Sequence, residues 1–177
     1  MKNALLLSGA PRCGKTTLLQ TVLAQYPGPA GGFFTREVCR SGQRIAFEMV
    51  TLDGAQATLA GVHLSGPPRV GRYGVDLHAL ETVAVPAIGA AAQAGQLVVV
   101  DEIGPMETGS PLFCQMVLEI LTTGCLLFGT IVLRSTPFSD HVKQLPGVEL
   151  ISVTPNNRGQ LSQELPGKLQ KMTAAEL

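Results

Sequence analysis

An excess of charge of either sign is missing from this sequence. Thirteen Lys and Arg balance thirteen Asp and Glu over 177 residues, so no net field gathers nucleic acid or an anionic membrane. Long hydrophobic runs are missing as well. The apolar stretches 4–7, 97–100 and 126–133 fall far short of the ~20 residues a membrane helix needs, and the first leads straight into a polar loop rather than a cleavage site. No membrane partner and no cleaved leader are expected. Paired cysteines are absent too: Cys13, Cys39, Cys114 and Cys125 form no C-x-x-C and no Cys/His cluster, a usage that fits reduced thiols in a cytoplasmic protein. His63, His78 and His141 show no metal-ligand spacing and read as surface or loop residues. No internal repeat, low-complexity segment or N-K-x-D string occurs. The first two absences fit a single domain over 1–177, and the third argues against a guanine-specific switch.

What is present is concentrated near the start. Gly9-Ala10-Pro11-Arg12-Cys13-Gly14-Lys15-Thr16 matches G-x-x-x-x-G-K-[ST] between a strand-like apolar run and a helix-forming run that begins with Thr17 and Leu18, the context a phosphate loop requires. Gly9 lets the chain leave the strand, and Gly14 lets the backbone approach a phosphate as the helix begins. The loop becomes a nest of N–H donors. Lys15 is expected to place its charge on the β- and γ-phosphates, and the Thr16 hydroxyl to join the shell of Mg²⁺. Cys13 lies among those donors, either as an acidified thiol or as a small filler.

Along the rest of the chain, 15–26 reads as a helix with Leu18, Leu19, Val22 and Leu23 on one face, stopped by Pro27-Gly28-Pro29. The β-rich runs 32–38 and 44–50 flank Arg40-Ser41-Gly42-Gln43 and predict a hairpin. A further strand is expected over 69–75, so that 30–76 forms a β-rich insertion. Residues 77–94 read as an Ala-rich helix kinked or broken at Pro86. Strands over 96–104, 126–133 and 148–153 alternate with helices over 113–121, 137–145 and 157–172. That alternation predicts an α/β fold, a mostly parallel sheet with helices on both faces.

The strand at 96–104 ends in two acids. In a phosphate-loop protein this is where a carboxylate serving the metal is expected, which suits Asp101; Glu102 is then placed to orient, or take a proton from, a water attacking the γ-phosphate. Hydrolysis is the leading chemistry. Asn157-Arg158 follows the last strand, at the carboxyl edge where α/β sheets bind ligands. It either covers the base or merely starts the last helix. Phe33, Phe34 and Tyr73 are placed to sandwich a base or, as strand aromatics more often do, to fill the core.

The strings Gly32-Phe33-Phe34-Thr35-Arg36-Glu37, Arg69-Val70-Gly71-Arg72-Tyr73-Gly74-Val75, Val99-Val100-Asp101-Glu102-Ile103-Gly104-Pro105-Met106-Glu107, Gly129-Thr130-Ile131 and Asn157-Arg158 follow the phosphate loop in order. Together they resemble the THEP1-type nucleoside triphosphatases, a family that includes the cancer-related NTPases, over almost the whole chain. The resemblance implies a RecA-like P-loop fold and slow hydrolysis of ATP, GTP and other nucleoside triphosphates, with Mg²⁺, to diphosphate and phosphate. It implies nucleotide contacts from residues 9–17, from Val100, Asp101, Glu102, Ile103, Gly104, Pro105, Met106 and Glu107, and from Asn157 and Arg158. Lys15 and Glu102 are the catalytic pair, and Thr16 and Asp101 the metal ligands.

A cation on the transferring phosphoryl group is expected among Arg12, Arg36, Arg69, Arg72, Arg134 and Arg158; Arg69, Arg72 and Arg158 stand out because they lie in the family-like strings. Pro105 stands where the family usually has Lys. Two rivals remain open: a nucleotide or small-metabolite kinase, and a nucleotide-dependent binding module whose slow hydrolysis resets a conformation.

Overall fold

The computed structural model describes residues 2–174. In chain order its elements are β1 (Ala4–Gly9), α1 (Lys15–Leu23), β2 (Ala30–Arg40), β3 (Gln43–Thr51), β4 (Gln56–Gly61), β5 (Arg69–Val70), β6 (Tyr73–Val75), α2 (Leu77–Ala79), a π-helical turn (Leu80–Ala84), α3 (Val85–Gln93), β7 (Leu97–Ile103), a 3-10 turn (Glu107–Gly109), α4 (Pro111–Thr123), β8 (Leu127–Val132), α5 (Pro137–Gln144), β9 (Val148–Ser152) and α6 (Arg158–Ala174).

One sheet runs through the molecule in the order β5-β6-β4-β3-β2-β7-β8-β1-β9. Its core is parallel, as expected: β2 pairs with β7, β7 with β8, β8 with β1, and β1 with β9. The strands are buried on both faces because their apolar runs alternate sides. Ala4 and Leu6 enter one cluster with Val98, Val100, Ile88, Phe113 and Val117, whereas Leu5 and Leu7 enter the other with Leu19, Val22, Phe128 and Leu169. Helices α3 and α4 cover the first face, and α1 and α6 the second. Phe33 and Phe113 meet edge to face in the first cluster, with centroids 6.4 Å apart.

The β-rich segment differs from the expectation in three ways. First, Ala30 to Phe33 of β2 pair in parallel with Leu97 to Val100, so the start of β2 belongs to the core. The antiparallel addition begins at the other half of the same strand, where Phe34 to Arg40 pair only with β3. Second, 69–75 is not one strand: Gly71, at φ +58°, turns it into the two short strands β5 and β6, which pair antiparallel. Third, β4 was not expected at all. Gln56-Ala57-Thr58-Leu59-Ala60-Gly61 has little β-propensity, and pairing with β3 and β6 makes it a strand. The β2–β3 hairpin turns at Ser41 and Gly42, φ 50° and 74°, the left-handed pair a two-residue turn demands.

The break expected near Pro86 takes the form of the π-helical turn just ahead of it, which widens the helix where the proline removes a donor. Helix α4 begins at Ser110, whose hydroxyl accepts from Phe113 N at 3.1 Å and donates to Glu81 Oε1 at 2.6 Å. Among the described residues no helix is long and apolar enough to cross a membrane.

Candidate active site

The parallel strands deliver their carboxyl ends to one edge of the sheet, where ligands of α/β folds bind. The phosphate loop leaves β1 at Gly9, where a Cβ would fall 2.8 Å from Cys13 Sγ and onto the Val153 carbonyl. Cys13 is buried there as part of the packing beneath the loop. Gly14 precedes α1 at φ 95°, a left-handed conformation that a side chain resists. The loop amides and the α1 N-terminus thus face one way. Lys15 Nζ donates to the Gly9 and Ala10 carbonyls at 3.1 and 3.3 Å, acceptors that triphosphate oxygens would replace.

At the end of β7, Val100 faces Gly129 and Ile103 faces Ile131, so three steps on β7 span two on β8. The extra residue is a bulge at Asp101 and Glu102, whose shared peptide is cis, and such bulges re-aim side chains. Asp101 is 1% exposed. Its Oδ1 accepts from Thr130 Oγ1 at 2.7 Å and Thr16 Oγ1 at 3.2 Å, and its Oδ2 from the amide and hydroxyl of Thr35, both at 3.3 Å. Burial pushes the Asp101 carboxyl up on balance, with these four donors opposing part of the rise. Glu102 lines the cavity beside Lys15 and Thr16. Burial raises its carboxyl, the Lys15 charge lowers it and the Asp101 charge raises it again.

Behind Glu102 lies a second buried acid. A Cβ on Gly104 would sit 3.2 Å from Glu107 Oε2 and 3.3 Å from Glu102 Cδ, so the two carboxyl groups flank the same glycine. Burial above all, then the Glu102 charge, pushes the Glu107 carboxyl up to about 8. At neutral pH Glu107 is therefore mostly protonated.

The cavity measures about 810 Å³. It is lined by Gly9, Pro11, Arg12, Gly14, Lys15, Thr16, Thr17 and Gln20 of the phosphate loop and α1, by the hairpin residues Thr35, Arg36, Glu37, Arg44 and Phe47, and by Glu102, Thr130, Val132, Leu133 and Arg134. From the stretch 100–107 only Glu102 reaches it. Val100 and Ile103 are in the core, Met106 packs against that core, and Pro105 is exposed.

Arg69 and Arg72, singled out as phosphoryl cations, do not line the cavity. Arg69 donates to the Leu64 carbonyl at 3.0 Å and the Arg72 carbonyl at 2.6 Å, and Arg72 donates to the Arg44 carbonyl. Both brace the β5–β6 turn. Asn157 accepts from Thr154 N at 2.8 Å and donates to Ser152 O at 2.9 Å, so its side chain closes the turn that carries Arg158. Arg158 lies across the phosphate loop, its Cδ 2.9 Å from where a Gly14 Cβ would be.

Sequence reasoning gave no role to Thr35 and Thr130, which hold Asp101, nor to Arg44 and Phe47. The threonines fall inside strings that resemble the family; Arg44 and Phe47 carry no such signal.

The donor set around Thr16 and Asp101 is hydroxyl and carboxylate oxygen, the hard ligands Mg²⁺ prefers. Among the described residues no group of three or more His, Cys, Asp or Glu forms a metal cage; one carboxylate and a hydroxyl, with water and substrate phosphates, would suffice for Mg²⁺. The residues fit such an ion.

A phosphate loop, a buried strand-end aspartate against its threonine and an adjacent glutamate on the same cavity define a P-loop nucleoside-triphosphatase. The comparisons with known proteins agree. Residues 4–165 match the family described as NTPase. The chain is 38% identical to the nucleoside-triphosphatase THEP1 of Thermotoga petrophila, covering 91% of this chain and 89% of that one. It is 40% identical to the human cancer-related nucleoside-triphosphatase, covering 91% and 93%. The crystal structure of THEP1 from Aquifex aeolicus superposes with a TM-score of 0.87 at 29% identity, covering 94% of this chain and 99% of that one. The chain therefore belongs to this family of nucleoside triphosphatases, hydrolases that act on phosphoanhydride bonds.

Proposed function

We propose that the protein hydrolyses nucleoside triphosphates, ATP and GTP among them, to diphosphate and phosphate with Mg²⁺. One observation carries this reading: Lys15, Thr16 and Glu102 line a single cavity, with buried Asp101 held against Thr16. The loop amides and Lys15 hold the β- and γ-phosphates. Thr16 and Asp101 would hold the ion, which when bound offsets charge on the β- and γ-oxygens. Glu102 accepts a proton from the attacking water as the new O–P bond forms. The bond from γ-phosphorus to the bridging oxygen breaks with its electron pair on the diphosphate. Lys15 stays on those oxygens throughout.

Broad base acceptance rests on Arg158, whose planar guanidinium stacks on any base. The continuous sheet supports reading the chain as one domain, with the strands after Phe34 as an addition to it. Four free thiols support a cytoplasmic, reducing setting.

The test is phosphate release with Mg²⁺ and each common nucleoside triphosphate, for wild type and Glu102→Gln in parallel. Glu102→Gln should bind nucleotide normally and lose hydrolysis by ~10² or more; near-normal turnover would remove Glu102 from the role. A second reading, transfer of the γ-phosphoryl group to a bound acceptor, draws support from the four arginines on the cavity, Arg12, Arg36, Arg44 and Arg134. Diphosphate formed without free phosphate once an acceptor is added would favour it.

A further inference from the structure

Four arginines line the cavity, and their surroundings separate them. Arg36 is spent sideways on the hairpin: its Nε donates to Glu48 Oε2 at 2.7 Å and its Nη2 to Gln56 Oε1 at 3.0 Å, with the side chain half exposed. Arg12 and Arg134 are exposed, and among the described residues neither guanidinium has a hydrogen-bond partner. Each would lose rotamer freedom on binding phosphate.

Arg44 is already held. Its Nε donates to Tyr73 Oη at 3.0 Å, its Nη1 donates to Glu37 Oε1, and its guanidinium carbon lies 4.6 Å from the Phe47 centroid and 5.7 Å from that of Tyr73. Tyr73 in turn is fixed edge to face on Phe47, centroids 5.2 Å apart. The Arg44 backbone carbonyl accepts from Arg72, which gives that arginine its use. Among the described residues Nη2 has no protein acceptor. The group is thus a cation set in advance on an aromatic platform, with donors to spare, lining the same cavity as the phosphate loop.

The position follows from the topology. Strand β2 leaves the core at Phe33, touches Asp101 through Thr35, and continues past the sheet edge as the hairpin. Each residue adds about 3.3 Å, so Glu37 and its cross-strand partner Phe47 stand roughly two steps beyond Thr35, the residue that binds Asp101. Lys15 and Thr16, which would hold a γ-phosphoryl group, line the same cavity as Glu37, Arg44 and Phe47.

We propose that Arg44 is the cation on the γ-phosphoryl group in the transition state, and that Glu37 is the counter-ion that holds it there until nucleotide binds. The inference rests on the hydrolase reading above. Arg44 makes and breaks no covalent bond. It donates N–H to equatorial oxygens whose charge grows as the bridging bond breaks, and preorganised donors in such a place act on the transition state more than on the ground state.

The experiment uses the full chain with Mg²⁺ and compares wild type, Arg44→Ala, Arg44→Lys and Glu102→Gln. Three quantities are read: kcat and KM for ATP, affinity for a non-hydrolysable ATP analogue, and affinity for ADP with aluminium fluoride, which mimics the transferring group. Arg44→Ala should lower kcat by ~10² or more, toward the 10³ to 10⁵ that such arginines supply. Its ATP-analogue affinity should stay within about threefold, and the aluminium fluoride complex should be lost. Arg44→Lys should recover part of both losses, which a misfolded hairpin would not.

A kcat within about fivefold of wild type in Arg44→Ala overturns the proposal. So does an equal loss of both affinities, which marks ground-state binding or structure alone. Normal turnover by Glu102→Gln counts against the proposed base and leaves the Arg44 comparison intact. If wild type releases no phosphate, the hydrolase reading fails, and the fluoride complex alone decides Arg44: its retention in Arg44→Ala overturns the role.

Discussion

Replacing Glu107 with Gln should make the protein more stable at alkaline pH than it was, because the wild-type side chain is an acid in a place that rejects its charge. Glu107 is 4% exposed and shares Gly104 with Glu102, and its carboxyl is pushed up to about 8 from the usual 4.5. Between those two values the folded protein keeps a proton that the unfolded chain has released. Stability contributed by the neutral acid is therefore complete below about 4.5 and declines as pH rises toward 8. At roughly 1.4 kcal/mol per pH unit the decline from this one group approaches 5 kcal/mol, a ceiling that local relaxation and water entry reduce. Gln has nearly the same shape and no charge to bury, so Glu107→Gln removes that slope. The assay is urea unfolding of wild type and variant, without nucleotide and with chelator, from pH 5 to 9. The stability of Glu107→Gln relative to wild type should rise steadily with pH by at least ~2 kcal/mol. The charges of Glu102 and Asp101 act on Glu107, so the difference reports the Glu107 proton together with its coupling to those two carboxyls. Parallel curves for the two proteins would refute the buried, protonated state of Glu107.

Other consequences follow from the same geometry. Lys15→Ala removes a charge-assisted contact worth ~1.5–3 kcal/mol, so triphosphate affinity by equilibrium titration should fall by roughly 10- to 100-fold; an unchanged Kd would undo the phosphate-cradle assignment. Phe113→Ala empties a fully buried site against Phe33 and should cost ~3–5 kcal/mol in urea unfolding. A loss under ~1 kcal/mol would mean that the core collapses around the gap far more readily than this packing suggests.

The parts of the protein legible in its sequence are those whose physics is local. Eight residues, Gly9 to Thr16, contain all that a phosphate loop needs: glycines where a side chain is unwelcome, amides at a helix start, a lysine and a hydroxyl. The apolar runs at 97–100 and 126–133 announce buried strands because both faces of a parallel sheet exclude water. Ser41-Gly42 dictates its hairpin turn through two left-handed residues. The buried strand that ends in two acids extended this to Asp101 and Glu102.

Tertiary structure decided the rest, because the causes lie far apart in the chain. Gln56 to Gly61 is a strand only because β3 offers it an edge, and the proline-driven break becomes a π-helical turn ahead of Pro86. The carboxylate of Asp101 gathers hydroxyls from Thr130, Thr35 and Thr16, which lie 29, 66 and 85 residues away, and nothing local marks either Thr35 or Thr130 as its partner. Position also reversed the ranking of the arginines: Arg69 and Arg72 sit in the more recognisable string but brace a turn, while Arg44, unmarked in sequence, is carried onto the cavity by the strand that leaves the core at Phe33. Residue type determines which chemistry is available locally, whereas desolvation and direction, which make Glu107 neutral and aim Arg44 at the cavity, arise only when distant strands pack together.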